Sequence, residues 1–331
     1  CTHFDCDSLD GTRASVLDEL LAPAPRPLLA FRGRHVWARS HPSVELPSAD
    51  RPSLLRAQGV YLITGGTGRF GSIVAKLLLE SWGATVYALS RGRSHAVPVD
   101  PRVQVVEADV TDAAALGRVV QDIVRRHGRL HGVFHAAGTI RDETHCALME
   151  LTAERCEEQL APRVDGVRAL ERALEGVEVD FRLTTSSMSP ILGGLGLAAY
   201  GAANGYVDAF VQAAPLEKGW RAIHWEGWHR GTARTSYSDG IAANQRNRML
   251  SDDELTHVLD RALRARELRR LVVTRDDLEE RVRQWVRPPE PPAAAGAETA
   301  APGEAGRPGG ADLTATLTGI VQALLGVEPR P

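Results

Sequence analysis

Long apolar runs are missing from this 331-residue chain. None approaches the roughly 18–20 residues that a membrane-spanning helix needs, so a soluble globular protein without a membrane partner is expected. Excess charge is missing too: the formal net charge is −3, which offers no electrostatic footprint for nucleic acid. Cysteine is scarce, with only Cys1, Cys6, Cys146 and Cys156. These four show neither metal-ligand spacing nor a dense disulfide framework, which fits a reducing cytoplasm and no bound metal. No signal-peptide pattern opens the chain, because Asp5, Asp7 and Asp10 interrupt the start. Lysine is nearly absent. Of 39 basic residues only Lys76 and Lys218 are lysine and the rest are arginine, a bias expected of a GC-rich coding background.

What is present is an alternation of strand and helix patterns. Val60-Tyr61-Leu62-Ile63 is a short apolar run, followed by Thr64-Gly65-Gly66-Thr67-Gly68-Arg69-Phe70-Gly71. Beyond it Phe70, Ile73, Val74, Leu77 and Leu78 recur at i, i+3, i+4, i+7 and i+8, the stripe of an amphipathic helix. Strand, glycine-rich turn and helix together form a dinucleotide-binding unit. The glycines let backbone approach a pyrophosphate seated at a helix N-terminus.

A second feature lies between Ser187 and Asn204. Ser187 precedes Tyr200 by thirteen residues, and Asn204 follows it by four. On a helix, positions four apart share a face, so Tyr200 and Asn204 project into one space. A serine at the end of a preceding strand reaches that space as well. A phenol, a hydroxyl and an amide aimed at one cavity suit polarising a ketone and protonating its oxygen as hydride arrives.

Further strands are expected at Thr85–Leu89, Val103–Val106, Leu130–Phe134, Asp180–Thr184, Ala222–Trp225 and Leu271–Thr274, and further helices around Leu116–Val124 and Cys156–Leu174. Seven short strands separated by helices imply an α/β fold: a doubly wound parallel sheet with helices on both faces. Residues 1–50 hold a helix candidate, Ala14 to Leu21, and a strand-like stretch from Leu28 to Trp37; this is too little to bury its own core. Residues 229–250 are polar and irregular, a lid candidate beside the ligand crevice that extends to about residue 256. Residues 287–311 form a Pro/Ala/Gly linker. Leu313, Leu317, Ile320, Val321, Leu324 and Leu325 then begin an amphipathic helix.

Residues 55–286 resemble the ketoreductase domain of modular polyketide synthases, a branch of the short-chain dehydrogenase/reductase fold. The matching pieces, in order, are Tyr61-Leu-Ile-Thr-Gly-Gly-Thr-Gly, Leu89-Ser-Arg, Asp109-Val, His135-Ala-Ala-Gly, Arg163-Val-Asp-Gly, Ser186-Ser187, Tyr200-Gly-Ala-Ala-Asn204 and Trp225-Glu-Gly-Trp228. Residues 1–52 look like the tail of the structural subdomain that precedes the catalytic one, and 312–331 like the first helix of an acyl carrier domain. The resemblance implies a cytoplasmic, NADPH-dependent reduction of a 3-ketoacyl thioester held by an acyl carrier protein, among neighbouring synthase domains. Tyr200 would donate the proton, Ser187 would hold the ketone oxygen, and Asn204 would support the proton network. Gly65, Gly66, Thr67, Gly68, Arg69, Phe70 and Gly71 would surround the pyrophosphate. Arg91, beside Ser90, would fork a 2′-phosphate and so favour NADPH over NADH. Asp109 and Val110 would contact adenine, and Ala136, Ala137 and Gly138 would flank the nicotinamide ribose. Cys146 and Cys156 are expected to be helix packing and His135 structural, while His224 departs from the family residue and has no assigned role.

One departure bears on activity. The family's lysine, which lowers the tyrosine's pKa and bonds the ribose, falls 37 residues before the tyrosine, where this chain has Arg163. Arginine keeps the charge but is planar, bulkier and unable to release a proton. A working enzyme is expected, with a catalytically impaired scaffold domain as the alternative. A nucleotide-sugar epimerase or dehydratase would need lysine where Asn204 stands. For stereochemistry, one subgroup carries Leu-Asp-Asp where this chain has Ile140-Arg141-Asp142, and the other has tryptophan where it has Leu192. Asp142 and Leu192, with Trp228 beyond the last strand motif, mark the substrate side. Both signals point to a D-configured (B-type) 3-hydroxyl.

Overall fold

The computed structural model describes residues 3–6, 13–20, 28–33, 35–92, 98–139, 146–227 and 248–286. The expected linker, the carrier-like helix, most of the lid candidate, and Asp142 and Trp228 lie outside the described residues.

The core of the fold is a parallel sheet whose central strands are buried on both faces. In chain order it comprises β4 (Val60–Thr64), α2 (Arg69–Trp82), β5 (Thr85–Ser90), β6 (Val103–Glu107), α3 (Ala113–His127), β7 (Gly132–His135), α4 (Ala153–Ala173) and β8 (Phe181–Ser187). The short α5 (Ser189–Leu192), α6 (Ala198–Ala213), β9 (Trp220–Trp225), α7 (Asp252–Ala262), β10 (Arg270–Val272) and α8 (Leu278–Trp285) complete it. The seven strands lie in the order β10-β9-β8-β7-β4-β5-β6. Each neighbouring pair is parallel. Chain order runs outward from β4 through β5 to β6, then restarts on the other side with β7. Connections therefore diverge between β4 and β7, and in such sheets a crevice opens at the strands' carboxyl ends.

Alternation divides the buried side chains between two cores. Tyr61, Ile63, Phe134, Phe181 and Leu183 meet Val74 and Leu78 of α2 and Leu255 and Leu259 of α7. Leu62, Tyr87 and Val133 point the other way, onto Leu116, Val120 and Ile123 of α3 and Val167 and Leu170 of α4. Helix ends carry local signals of the expected kind. Asp112 accepts from the Ala115 N–H to cap α3, and Ser251 and Glu254 form a capping box on α7; a cap of this sort contributes about 0.5–2 kcal/mol.

The N-terminal part differs from expectation. The stretch read as one strand from Leu28 to Trp37 is a hairpin, β2 (Leu28–Arg32) and β3 (His35–Ala38), antiparallel with Arg32 opposite His35. Gly33, at φ +56°, takes the left-handed conformation such a tight turn needs. β1 (His3–Cys6) adds a parallel third strand, and α1 spans Arg13–Leu20. The segment that follows lies on the last helices: Arg261 Nε donates to the Pro47 carbonyl at 3.0 Å, and the Leu54 N–H to the Leu263 carbonyl at 2.9 Å. Among the described residues no helix is long and apolar enough to cross a membrane.

Candidate active site

The glycine turn sits where the strand order reverses. Gly65 has φ +66°, and a Cβ there would stand 2.7 Å from the Ala136 carbonyl oxygen at the end of β7. Only glycine allows β4 and β7 to approach this closely while the turn keeps that conformation. The Gly68 N–H closes the turn on the Gly65 carbonyl at 2.9 Å, and Thr67 Oγ1 donates to Ser90 Oγ at 2.8 Å, tying the turn to the end of β5. Together these build a cleft of about 390 Å³ lined by Gly65, Thr67, Gly68, Ser90, Arg91 and Asp109 on one side, with Ala136, Ala137, Gly138 and Pro162 on the other. The size, the glycine backbone and an arginine at one end fit a dinucleotide. Asp109 Oδ1 accepts from the Thr111 N–H at 2.9 Å and from the Thr111 hydroxyl at 2.8 Å. The Thr111 backbone bond is foremost in holding the Asp109 carboxyl below the usual range, and Arg91 adds to it.

At the other end of the cleft four elements bring polar groups together. α4 contributes Arg163, buried with 6% of its surface exposed. Its Nη1 donates to the Thr185 carbonyl near the end of β8 at 3.1 Å, and its Cζ lies 5.2 Å from the centroid of the Tyr200 ring. The guanidinium also abuts Gly138, where a Cβ would stand 2.9 Å from Nη2. Ser187 closes β8, and its Oγ accepts the Ser189 N–H at 3.2 Å. The first turn of α6 approaches the same corner, since a Cβ on Gly201 would be 3.7 Å from the Ser189 carbonyl oxygen. Asn204, fully buried, donates from Nδ2 to the Tyr200 carbonyl at 2.8 Å, one helical turn back. Arg163, Ser187, Tyr200 and Asn204 therefore share one corner at the carboxyl end of β8. The arrangement can present a hydroxyl and a phenol to a carbonyl beside the cleft, with a fixed positive charge against the ring.

His135, at the end of β7, is enclosed and shares a 2.8 Å hydrogen bond from Nδ1 with Thr64 Oγ1. Burial foremost, with the Arg163 charge adding to it, pushes its imidazole down to about 3, so it stays neutral.

Comparison with known proteins settles the family. A KR domain model matches residues 59–229, more than half of the chain. The chain belongs to the KR domain family. It is similar to polyketide synthase ThaG of Burkholderia thailandensis, at 34% identity over 222 residues covering 60% of this chain and 4% of that protein. A second relative is the pikromycin polyketide synthase component PikAII of Streptomyces venezuelae, at 32% identity covering 64% of this chain and 6% of that protein. The chain thus spans a small fraction of the length of these relatives. Among solved structures it is similar to the ketoreductase from the first module of phoslactomycin biosynthesis in Streptomyces sp. HK803. That likeness has a TM-score of 0.70 at 26% identity, covering 86% of this chain and 67% of that one. The chain is accordingly a ketoreductase domain of the polyketide synthase type, on the short-chain dehydrogenase/reductase fold.

Not every residue expected at the ketoreductase site lines its cleft. Val110 does, but Arg69 turns outward to Asp252 at the start of α7, at 2.6 Å, and Phe70 packs into the core with its ring 5.8 Å from that of Trp225. Helical periodicity accounts for Phe70, whose place in the apolar stripe of α2 outranks its place in the motif. Gly66 and Gly71 serve as close-packing points, against Ala88 and Gly65. Leu192 lies half-buried in α5. Sequence reasoning missed the Thr67–Ser90 bond and a buried pair, Asp208 with His224. Asp208 continues the four-residue spacing of Tyr200 and Asn204 along α6, a signal that was available.

Proposed function

We propose that this domain reduces a 3-ketoacyl thioester, held on an acyl carrier protein, to the 3-hydroxyacyl thioester with NADPH. NADPH bound in the cleft would supply hydride to the ketone carbon. Thr67, Gly68 and Ser90 would hold the phosphates, Arg91 the 2′-phosphate, and Ala136 to Gly138 the ribose next to the reacting end. Ser187 donates a hydrogen bond to the ketone oxygen and Tyr200 gives it a proton. Asn204 fixes the first turn of α6 through the Tyr200 carbonyl, so the phenol keeps its aim. One observation carries the reading of a working enzyme despite the missing lysine. The Arg163 guanidinium lies 5.2 Å from the Tyr200 ring centroid, anchored to the Thr185 carbonyl, so positive charge still faces the phenol as charge grows on its oxygen.

The partners proposed are the carrier domain and adjacent synthase domains. The product proposed is the D-configured alcohol, on the strength of Asp142 and the absence of tryptophan at Leu192. Stopped-flow loss of NADPH with an acyl-thioester mimic, and with trans-1-decalone, tests the activity. Turnover in the intact protein that falls about 10²–10⁴-fold in Tyr200→Phe supports it. NADPH binding without turnover would instead favour a scaffold role. Chiral analysis of the reduced thioester tests the configuration, and an L-alcohol refutes it.

A further inference from the structure

A buried polar seam runs from Tyr200 away from the cleft, between the sheet and α6. Trp220 and Ala222 of β9 face the core shared with α3 and α4, so His224, two residues on, faces the same way. Phe181 and Leu183 of β8 face the opposite core, which turns Ser186 toward His224, its register partner across the two strands. From α6 come Tyr200, Asn204 and Asp208 at intervals of four, on one face over about 12 Å of helix. Ser186, Asn204, Asp208 and His224 are all buried.

Two properties make this more than packing. Ser186 Oγ, Asn204 Oδ1, Asp208 Oδ1 and Arg163 Nε have no hydrogen-bond partner among the described residues, and buried polar atoms of that kind are ordinarily joined by internal water. Then there is the state of His224. Its Nε2 lies 2.8 Å from Asp208 Oδ2 and its Nδ1 3.3 Å from the Leu271 carbonyl oxygen. Both partners are acceptors, so the ring that satisfies both carries two N–H groups and one positive charge, opposite the Asp208 carboxylate. Other charged groups surround this end of the seam. Arg270 of β10 lies within electrostatic reach of Asp208, and His41, from the segment before β4, within reach of His224. Arg39 acts on both His41 and Arg270, and Glu279 of α8 lies 3.5 Å from the ring of His41. His41 is only half-buried and Arg39 is exposed.

Each reduction leaves Tyr200 without its proton, and arginine at 163 cannot return one, because a guanidinium does not deprotonate in proteins. We propose that His224, paired with Asp208, is the proton source that restores Tyr200, through the hydroxyl of Ser186, the amide of Asn204 and the water they hold. The inference rests on the reductase reading above. In each turnover the Tyr200 O–H bond breaks and the alcohol O–H bond forms, as hydride completes the carbon. His224 then gives up one N–H proton to the seam, a proton leaves the seam onto the phenolate, and His224 takes a replacement from solvent on the His41 side. Net consumption is one NADPH and one proton per ketone. Arg163 and His224, both departures from the family pattern, thus complement each other.

The test uses the intact protein and the variants His224→Gln, Arg163→Lys and their combination. In His224→Gln, NADPH oxidation in a single turnover should keep its rate, since Tyr200 begins protonated. Steady-state turnover should fall at least tenfold, with a new dependence on pH. Arg163→Lys in the same chain should restore it, because lysine can pass a proton. Nitrogen-15 NMR of labelled histidine should show His224 doubly protonated in the wild type, a readout independent of activity. Unchanged steady-state rates, a loss already complete in the single turnover, or a singly protonated His224 each overturn the relay. If His224→Gln fails to fold, Asp208→Asn is read by the same criteria. A wild type that binds NADPH but never turns over removes the reductase reading itself.

Discussion

Adding one methyl group at Gly138 should disable the site through Arg163. A Cβ there would lie 2.9 Å from Nη2, 3.3 Å from Cζ and 3.4 Å from Nε of the guanidinium, inside the roughly 3.5–4.0 Å optimum for such contacts. The guanidinium has little room to yield, since Nη1 is bound to the Thr185 carbonyl and the Tyr200 ring lies against it. Overpacking of this kind costs about 1–3 kcal/mol, and displacing the cation from the ring forfeits about 0.5–2 kcal/mol more. The overpacking lowers the Tm, while at about 1.4 kcal/mol per tenfold the lost cation–ring contact should lower kcat/KM with trans-1-decalone by about 2–30-fold in Gly138→Ala. The decisive assay is a double-mutant cycle with Arg163→Lys. Lysine has a compact head on a flexible stem, so the same methyl should cost much less in that background, with a coupling of about 1 kcal/mol or greater. Equal losses in both backgrounds would refute the reasoning, and would place the methyl's effect in the cleft rather than on the guanidinium.

Three other outcomes follow from the same geometry. Arg91→Ala should reduce the preference for NADPH over NADH by about 10–100-fold, the equivalent of one charge-assisted hydrogen bond of about 1.5–3 kcal/mol; dissociation constants for the two cofactors, read by fluorescence, check it, and an unchanged ratio refutes it. Gly65→Ala should lower the Tm and abolish NADPH binding, because the left-handed conformation alone costs about 1–2 kcal/mol and the new Cβ meets the Ala136 carbonyl at 2.7 Å; a variant as stable as the wild type would contradict the turn. His135 titrates near 3 when folded and near about 6.5 when unfolded, so the unfolded chain binds its proton first as pH falls. Its contribution is complete above about pH 6.5 and is lost progressively toward pH 3. Urea midpoints measured across that window should fall less steeply for His135→Asn than for the wild type.

Most of the sheet was legible because a parallel strand buried on both faces reads as an unbroken apolar run, as Val60–Ile63 does, and because helix stripes lie between such runs. All seven strands of the main sheet fall on the expected runs, with ends displaced by at most three residues, the largest shift being at the end of β8. The hairpin at Gly33 was not legible, since Leu28 to Trp37 offers apolar residues on either side of a turn only two residues long. β1 was missed for the opposite reason: in His3-Phe4-Asp5-Cys6 only Phe4 supplies a ring to the core, against Phe31 at 5.4 Å. At the site, motif spacing pointed to the residues that line the cleft, such as Gly65, Thr67, Ser90, Arg91 and Asp109, but not to the direction of each side chain. Arg69 and Phe70 sit inside the glycine motif, yet an ion pair and an apolar stripe turn them elsewhere. Asp208 and His224 belong to no shared local pattern, and only the register of β8 with β9 brings them into one seam.

The surroundings of Arg163 bear on whether it is a neutral consequence of arginine-rich coding. A guanidinium placed by drift alone would be expected to point its donors at solvent. Here it is buried, it gives a hydrogen bond to the strand that carries Ser187, and it occupies the space that only a glycine at 138 leaves open. Burying a charge costs several kcal/mol unless groups are arranged to receive it; here the Thr185 carbonyl receives Nη1 and the Tyr200 ring faces Cζ, while Nε has no partner among the described residues. A lysine head, with three donors on one atom, could meet the Thr185 carbonyl but would not present a planar cation to the Tyr200 ring at the same time. Arg163→Lys alone should leave turnover unchanged or raise it, because lysine keeps the charge beside Tyr200 and can pass a proton. A sharp fall in that single variant, with hydride transfer slowed in the first turnover, would assign arginine the positioning role and leave proton supply a secondary matter.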